Sequence, residues 1–227
     1  MGAQAEKAMI EVFDCLQGSE EWWTARLGIP TASEFHTVLA KPQKGSTESK
    51  TRRDYLLKLA GEVITGAPMD SYSNANMERG KIMEDEARDL YAFAHDVEPT
   101  RIGFIKNGSK GCSPDSLIGD TGMVEIKTKF AHRTIDCILK DNFPPEHKAQ
   151  CQGALWVAER EWIDITIYWP GLPLFVKRAM RDEPYIGVMV EEVDRFNDEL
   201  AEIVAQVGRY GNSSALKAVL AQSVAAK

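Results

Sequence analysis

The spacing of apolar residues changes near residue 100, and that change limits the chain more than any other feature. Before it, apolar residues recur at helical spacing, with Leu56, Leu59, Val63 and Ile64 in one segment and Met83, Ala87, Leu90 and Tyr91 in the next. After it come three short β-like runs, Arg101 to Lys106, Cys112 to Ile118 and Met123 to Phe130. Asn107-Gly108 and Gly119 to Gly122 separate them as turns, which predicts a meander. Asp136 to Lys140 reads as a short helix, and Pro144-Pro145 opens another running to about Ala158. Trp162 to Trp169 alternates, with Ile163, Ile165 and Ile167 on one face, and Pro170-Gly171 ends that strand. Leu174 to Ala179 is a fifth strand, and Phe196, Leu200, Ile203, Val204 and Val207 mark a final amphipathic helix. The order of elements predicts an α/β fold with a central mixed β-sheet flanked by helices.

The 227 residues suit one domain. It would carry a helical N-terminal segment over 19–95, a sheet core over 100–180 and a C-terminal helix over 190–210. In the N-terminal segment, Ser19 to Leu27 reads as a short helix stopped by Gly28. Thr31-x-x-Glu34 reads as a capping box opening a second helix with Phe35, Val38 and Leu39 on its apolar face. Asn76 to His95 is a longer helix, and the stretch after Gly211 is low in complexity. Apolar residues make up 44% of the chain, enough for a core without disulfides. The four cysteines are scattered with no C-x-x-C, which argues against a disulfide scaffold and a zinc ribbon. A reduced, cytoplasmic compartment is expected. No apolar run approaches the ~18 residues of a membrane span, and Met1 to Val12 lacks a signal-peptide core.

A net charge of −7 at first disfavours a nucleic-acid partner. The distribution reverses that impression. Asp182 to Glu202 holds eight acids and one base, so this segment carries the whole −7. Lys41 to Lys58 holds six bases against Glu48 and Asp54, with Pro42 and Gly45 marking a mobile loop at its start. Local charge governs phosphate contacts. Lys44, Arg52 and Arg53 are therefore candidate DNA-backbone contacts, although a solvated loop and helix face explains the same pattern.

The stretch that points to chemistry is Ser113-Pro114-Asp115 followed by Glu125-Ile126-Lys127. Glu125 and Lys127 are two apart on a predicted strand and share a face, while Ile126 points to the core. A tight turn brings Asp115, on the preceding strand, near Glu125. Converging carboxylates repel unless a cation lies between them, and hard oxygen ligands suit Mg²⁺ or Mn²⁺. A lysine beside such a metal orients or deprotonates a water. Glu84 adds a third acid within an apolar helical stripe, and Gln150 and Gln152 lie close to an apolar helix face. An exposed strand face carrying a Glu–Lys pair is the plain alternative.

Taken together, Gly80-Lys81-x-x-Glu84, Ser113-Pro114-Asp115, Glu125-Ile126-Lys127 and Gln150-x-Gln152 resemble the phage lambda exonuclease family. These are YqaJ-like viral recombination nucleases of the restriction-endonuclease-like superfamily. Trp22 to Ala40 resembles the family's N-terminal helical segment, Arg181-Asp182-Glu183 and the last helix also have counterparts, and the likeness spans roughly 16–207. The resemblance implies Mg²⁺-dependent, processive 5′→3′ digestion of one strand of duplex DNA from an end. It also implies a homotrimeric ring and a single-strand annealing partner, in a bacterial host cell with the gene carried by a phage or prophage. Asp115, Glu125 and the main-chain carbonyl of Ile126 would be metal ligands and Lys127 would position the attacking water. Glu84 would serve a second metal, and Gln150 would hold the network. Trp156 stands where more distant relatives carry a tyrosine.

The resemblance also bears on the DNA end. Arg26, Thr31 and Ser33, within the matched segment RLGIPTAS, would bind the 5′-terminal phosphate, helped by a helix N-terminus at Thr31. Arg133 matches a family position that meets DNA. An endonuclease built on the same core, a non-catalytic DNA-end clamp and an iron–sulfur nuclease are the competing readings. The last lacks a C-terminal cysteine cluster.

Overall fold

The computed structural model describes residues 10–69 and 75–211. Two sheets carry the architecture. The first is three-stranded and antiparallel, formed by β1 (Ile10–Phe13), β2 (Phe104–Asn107) and β3 (Lys110–Cys112). The second is mixed, in the order β4 (Ser116–Ile118), β5 (Gly122–Thr128), β6 (Trp162–Tyr168) and β7 (Phe175–Met180). Within it β5 and β6 run parallel, with Glu125 opposite Ile165, and the other pairs are antiparallel. A parallel pair needs a crossover, which α5 (Ala131–Lys140) and α6 (Lys148–Val157) provide.

The predicted meander is thus two structures. The run Cys112 to Ile118 breaks at Ser113-Pro114-Asp115, with β3 joining the first sheet and β4 the second. Proline has no N–H to give a ladder, so an interior strand cannot run through Pro114. Asp115 consequently precedes β4 and belongs to no strand. Strand β1 also has no counterpart in the sequence reading; its pairing partner lies more than 90 residues away.

Both faces of the mixed sheet are covered. Met123, Ile163, Ile165 and Ile167 join one core with α6 and with α7 (Glu183–Gly211) through Met189, Val193 and Phe196. On the other face, Val124, Ile126 and Tyr168 meet Met83, Ala87 and Tyr91 of α4 (Ala75–His95). On that second face Asp164 is fully enclosed, accepting from Tyr91 Oη at 2.6 Å and from both arms of Arg178 at 2.9 Å. The two faces explain why β6 buries its polar positions as well as its isoleucines.

Helix α1 (Glu20–Ala25) is capped by Ser19, whose Oγ accepts from the Trp22 N–H. The expected capping box at Thr31 does not form. Thr31 makes no side-chain cap, and the segment is a 3₁₀ turn, Ala32–Glu34, followed by a single α turn, α2 (Phe35–Val38). Phe35 and Val38 are buried nonetheless, each burial stabilising by about 1.5–3 kcal/mol. Gly153 of α6 permits the close approach, since a Cβ there would meet Phe35 Cδ2 at 2.4 Å.

Helix α3 (Lys50–Thr65) begins within the span read as loop, capped by Ser49, and ends at Gly66 in the left-handed conformation (φ 68°). Its core face is Tyr55, Leu56, Leu59 and Ala60; Val63 and Ile64 point outward, as does Leu90 on α4. Helix α5 starts five residues earlier than expected, and α7 starts at Glu183 and so carries nearly all of the acidic segment. The stretch after Gly211 lies outside the described residues. No described helix is long and apolar enough to cross a membrane.

Candidate active site

The break at Pro114 is what positions the first acid. Released from both ladders, Asp115 folds its carboxylate against β5, and Oδ2 accepts the Ile126 N–H at 2.5 Å. A side chain thereby completes the ladder where β4 has run out. In a strand, a residue's N–H and C=O face the same neighbour, so the Ile126 carbonyl lies along that edge too.

Glu125 and Lys127 share a face as their spacing requires. Lys127 Nζ lies 2.7 Å from Glu125 Oε1, and Gln150 Nε2 of α6 donates to the same oxygen at 2.6 Å. Gln152 points elsewhere, clamping Met180 O and the Asp182 N–H in a purely structural role.

Glu84 of α4 reaches the site through Arg88, one turn on, at 2.5 Å. Arg88 is buried and was not singled out in the sequence. It also binds Asp85 at 2.8 Å, Ser116 Oγ at 2.9 Å and, more loosely, the Asp115 carbonyl at 3.4 Å. An i,i+4 Glu–Arg pair reads as ordinary helix surface; only the tertiary contacts reveal its place. The side chains of Gly80 and Lys81 lie outside the described ones.

The electrostatics follow from this crowding. Burial, then the negative charges of Glu125 and Glu84, push the Asp115 carboxyl well above the usual carboxylate range. Burial also raises Glu84, with Asp85 and Glu125 adding to it and Arg88 opposing. Burial alone would lower the Lys127 ammonium, but Glu125 and Asp115 outweigh it and hold its pKa above the ordinary value.

A cleft of about 190 Å³ opens on this group. Asp115, Glu125, Lys127 and Gln150 line it together with Arg26, Thr31 and Ser33. Arg26 donates to Thr31 Oγ1 at 3.4 Å, and Thr31 Oγ1 lies 3.2 Å from Ser33 Oγ. The guanidinium sits 4.1 Å over the Trp22 ring, and Trp22 Nε1 donates to Ser113 Oγ at 2.9 Å. The Thr31 N–H is taken by Tyr55 Oη at 3.2 Å. With a single α turn behind it, this segment offers no helix dipole, so anion binding here falls to the arginine and the hydroxyls. Ser113, quoted in the motif but given no role, also lines the cleft.

The basic candidates separate. Arg52 is engaged within the fold: it forms a two-pronged pair with Glu199 of α7, at 2.6 and 2.9 Å, lies over Phe196 and has a largely buried side chain. Arg53 is half-exposed and 3.9 Å from Glu48, and Lys44 is exposed on its loop. Arg133 is exposed on the first turn of α5.

A mixed sheet flanked by helices, with two acids and a lysine at the end of one hairpin, defines the restriction-endonuclease-like class. The chain belongs to the YqaJ-like viral recombinase domain family, whose model matches residues 21–161. It is similar to an alkaline exonuclease, LHK-Exo, from Laribacter hongkongensis, at 32% identity and a TM-score of 0.77, covering 86% of this chain and 98% of that one. That protein has also been solved in complex with dAMP. A phage related exonuclease from Haemophilus somnus 129PT shares the fold at 13% identity and a TM-score of 0.61, over 79% of this chain and 96% of that one. Comparison with curated proteins gives no match.

Proposed function

We propose that the chain is a metal-dependent nuclease that digests one strand of linear duplex DNA, processively and 5′→3′, from a 5′-phosphorylated end. One observation carries this reading: Asp115, Glu125, Lys127 and Gln150 share a single cleft with Arg26, Thr31 and Ser33, while Glu84 lines an adjoining one that Asp115 also borders. The similarity to an alkaline exonuclease, crystallised also with a deoxynucleoside monophosphate, supports the reaction class.

Among the described residues, no three His, Cys, Asp or Glu side chains converge closely enough to hold an ion unaided. The donor set nevertheless fits Mg²⁺, with Mn²⁺ as a substitute. Its oxygens are hard, main-chain carbonyls lie beside the carboxylates, and the raised Asp115 and Glu84 carboxyls mark negative charge that a cation would relieve. Asp115, Glu125 and the Ile126 carbonyl would hold the first ion, and Glu84 would serve a second. Bound ions supply charge at the scissile phosphate and acidify a water.

The chain's own residues do the rest. Ile126 N–H and Gln150 fix the two carboxylates in place. Lys127 adds positive charge and orients the attacking water or takes its proton. Arg26, with the Thr31 and Ser33 hydroxyls, holds the terminal phosphate, Arg supplying a two-pronged donor. Each cut creates a new 5′-phosphate for the same set, which gives direction. Lys44, Arg53 and Arg133 contact the backbone. Following the family resemblance, we extend the reading to a homotrimeric ring and a single-strand annealing protein, acting in recombination in the cytoplasm of a bacterial host.

The test is digestion of linear duplex with 5′-phosphate or 5′-hydroxyl ends, beside closed-circular DNA, with and without Mg²⁺. Mg²⁺-dependent release of mononucleotides from the phosphorylated linear duplex alone is expected. Cutting of the closed circle would indicate an endonuclease, and binding of ends without digestion a clamp.

A further inference from the structure

The strand that carries Glu125 and Lys127 ends in an aromatic cluster to which the hydrolytic set gives no role. Phe130 stands at the start of α5, half-exposed at 50%. Its ring and that of the exposed His132 are nearly parallel, 10° apart in plane, with centroids 6.3 Å apart. The Trp169 ring lies 5.6 Å from Phe130 at 42°. These rings meet because β5 and β6 run parallel and finish together: Lys129 N–H donates to Tyr168 O at 3.3 Å, one step beyond the last paired residues. Arg133 is exposed on the same first turn, and the Lys129 ammonium, paired with Glu146, is close by in sequence.

We propose that Phe130 and His132, backed by Trp169, form a stacking platform for an unpaired DNA base close to the scissile phosphate. This rests on the nuclease reading of the cleft. Two residues lie between Lys127 and Phe130, so their Cα atoms are at most ~11 Å apart. Stacked nucleotides rise about 3.4 Å each, so, with side-chain reach added, the base concerned lies within a few nucleotides of the bond that breaks. An aromatic face takes any base, because every base has a π-face, and the neighbouring Arg133 suits the phosphate that accompanies it. A contact of this kind holds the strand in register between cuts and reads no sequence.

The experiment uses duplexes whose first four 5′ nucleotides are left unpaired, with 2-aminopurine at each of these positions in turn, bound in metal-free buffer so that no cleavage occurs. Stacking quenches this fluorophore. Quenching at one or two positions is expected in the parent protein. In Phe130→Leu, which keeps the apolar bulk and removes the π-face, that quenching should disappear and binding should weaken about tenfold. Phe130→Trp should restore both. In Mg²⁺, Phe130→Leu should still release the first nucleotide but fall off after shorter runs. A parent that binds duplex without quenching at any position overturns the proposal. So does quenching left unchanged in Phe130→Leu. Failure of the parent to digest linear duplex in Mg²⁺ is a separate result; it overturns the nuclease reading, and this proposal with it.

Discussion

Asp115 Oδ2 takes the backbone N–H of Ile126 at 2.5 Å, so an acid proposed to bind metal also closes a strand edge. The two roles separate by substitution. Asp115→Asn keeps an oxygen for the Ile126 N–H but removes the charge. It should abolish Mg²⁺-dependent digestion, at least about 10²-fold, while thermal unfolding in metal-free buffer moves upward, because like-charge repulsion from Glu125 and Glu84 is relieved. Glu125→Gln should be equally inactive. Lys127→Ala should lose activity yet retain Mg²⁺ binding by calorimetry, since an ammonium is no ligand. Substantial digestion by Asp115→Asn would remove it from the metal site.

The raised carboxyls set a pH dependence. Asp115 and Glu84 bind protons more tightly in the folded chain than in the unfolded one, where they titrate near 4. Their contribution to metal-free stability is fully present below about pH 4 and is lost as pH rises through their folded values. Mg²⁺ competes with those protons. The rise in Tm produced by a fixed Mg²⁺ concentration should therefore grow from acid to mildly alkaline pH. A Mg²⁺ shift that is flat with pH would mean that these acids are not its ligands.

Arg26→Ala removes the only charged member of the Arg26, Thr31 and Ser33 set. Preference for 5′-phosphate over 5′-hydroxyl ends should vanish and runs should shorten, with single cuts still made. Its contacts with the Trp22 and Trp23 rings predict a stability cost of at least about 0.5–1 kcal/mol, and urea unfolding should distinguish lost recognition from lost structure. Discrimination equal to the parent's would move the end pocket elsewhere.

Arg52 and Lys44 should part company. Arg52→Ala breaks the bridge between α3 and α7 and should cost about 1–2 kcal/mol, because Glu199 remains partly solvated. The salt dependence of DNA binding should not change. Neutralising Lys44 and Arg53 should do the reverse, flattening the salt slope by releasing fewer counterions. A flattened slope in Arg52→Ala would show that its bridge opens on DNA.

The outcome for Arg52 shows where sequence reading stops. Counting charges locates a basic segment but cannot tell a solvated arginine from one clamped to a helix 147 residues away. Arg88 was hidden for the same reason. Glu125 and Lys127 were legible because a period of two fixes the face of a strand whatever surrounds it. The helices and β6 were legible by the same local logic. The split at Pro114 was written in the sequence, yet the turns on either side suggested one continuous meander. Strand β1 has no local signature strong enough to stand without its partner, and the outward turn of Val63, Ile64 and Leu90 depends on what packs beside each helix.

The position of Pro114 has a thermal consequence. The three-stranded and four-stranded sheets are covalently continuous there, and Asp115, the residue just before β4, lies outside both ladders: Ile126 N–H donates to its carboxylate, and the Ser116 hydroxyl and, loosely, Arg88 donate to its carbonyl. Glu125, by contrast, sits inside a strand paired along its whole length with β6. Loosening of the Ser113-Pro114-Asp115 segment that leads into β4 would part the two acids before either ladder melts. On gradual heating, digestion should therefore fail at a lower temperature than far-UV circular dichroism does, and recover on cooling: the seam makes catalysis the most heat-labile property of an otherwise intact fold.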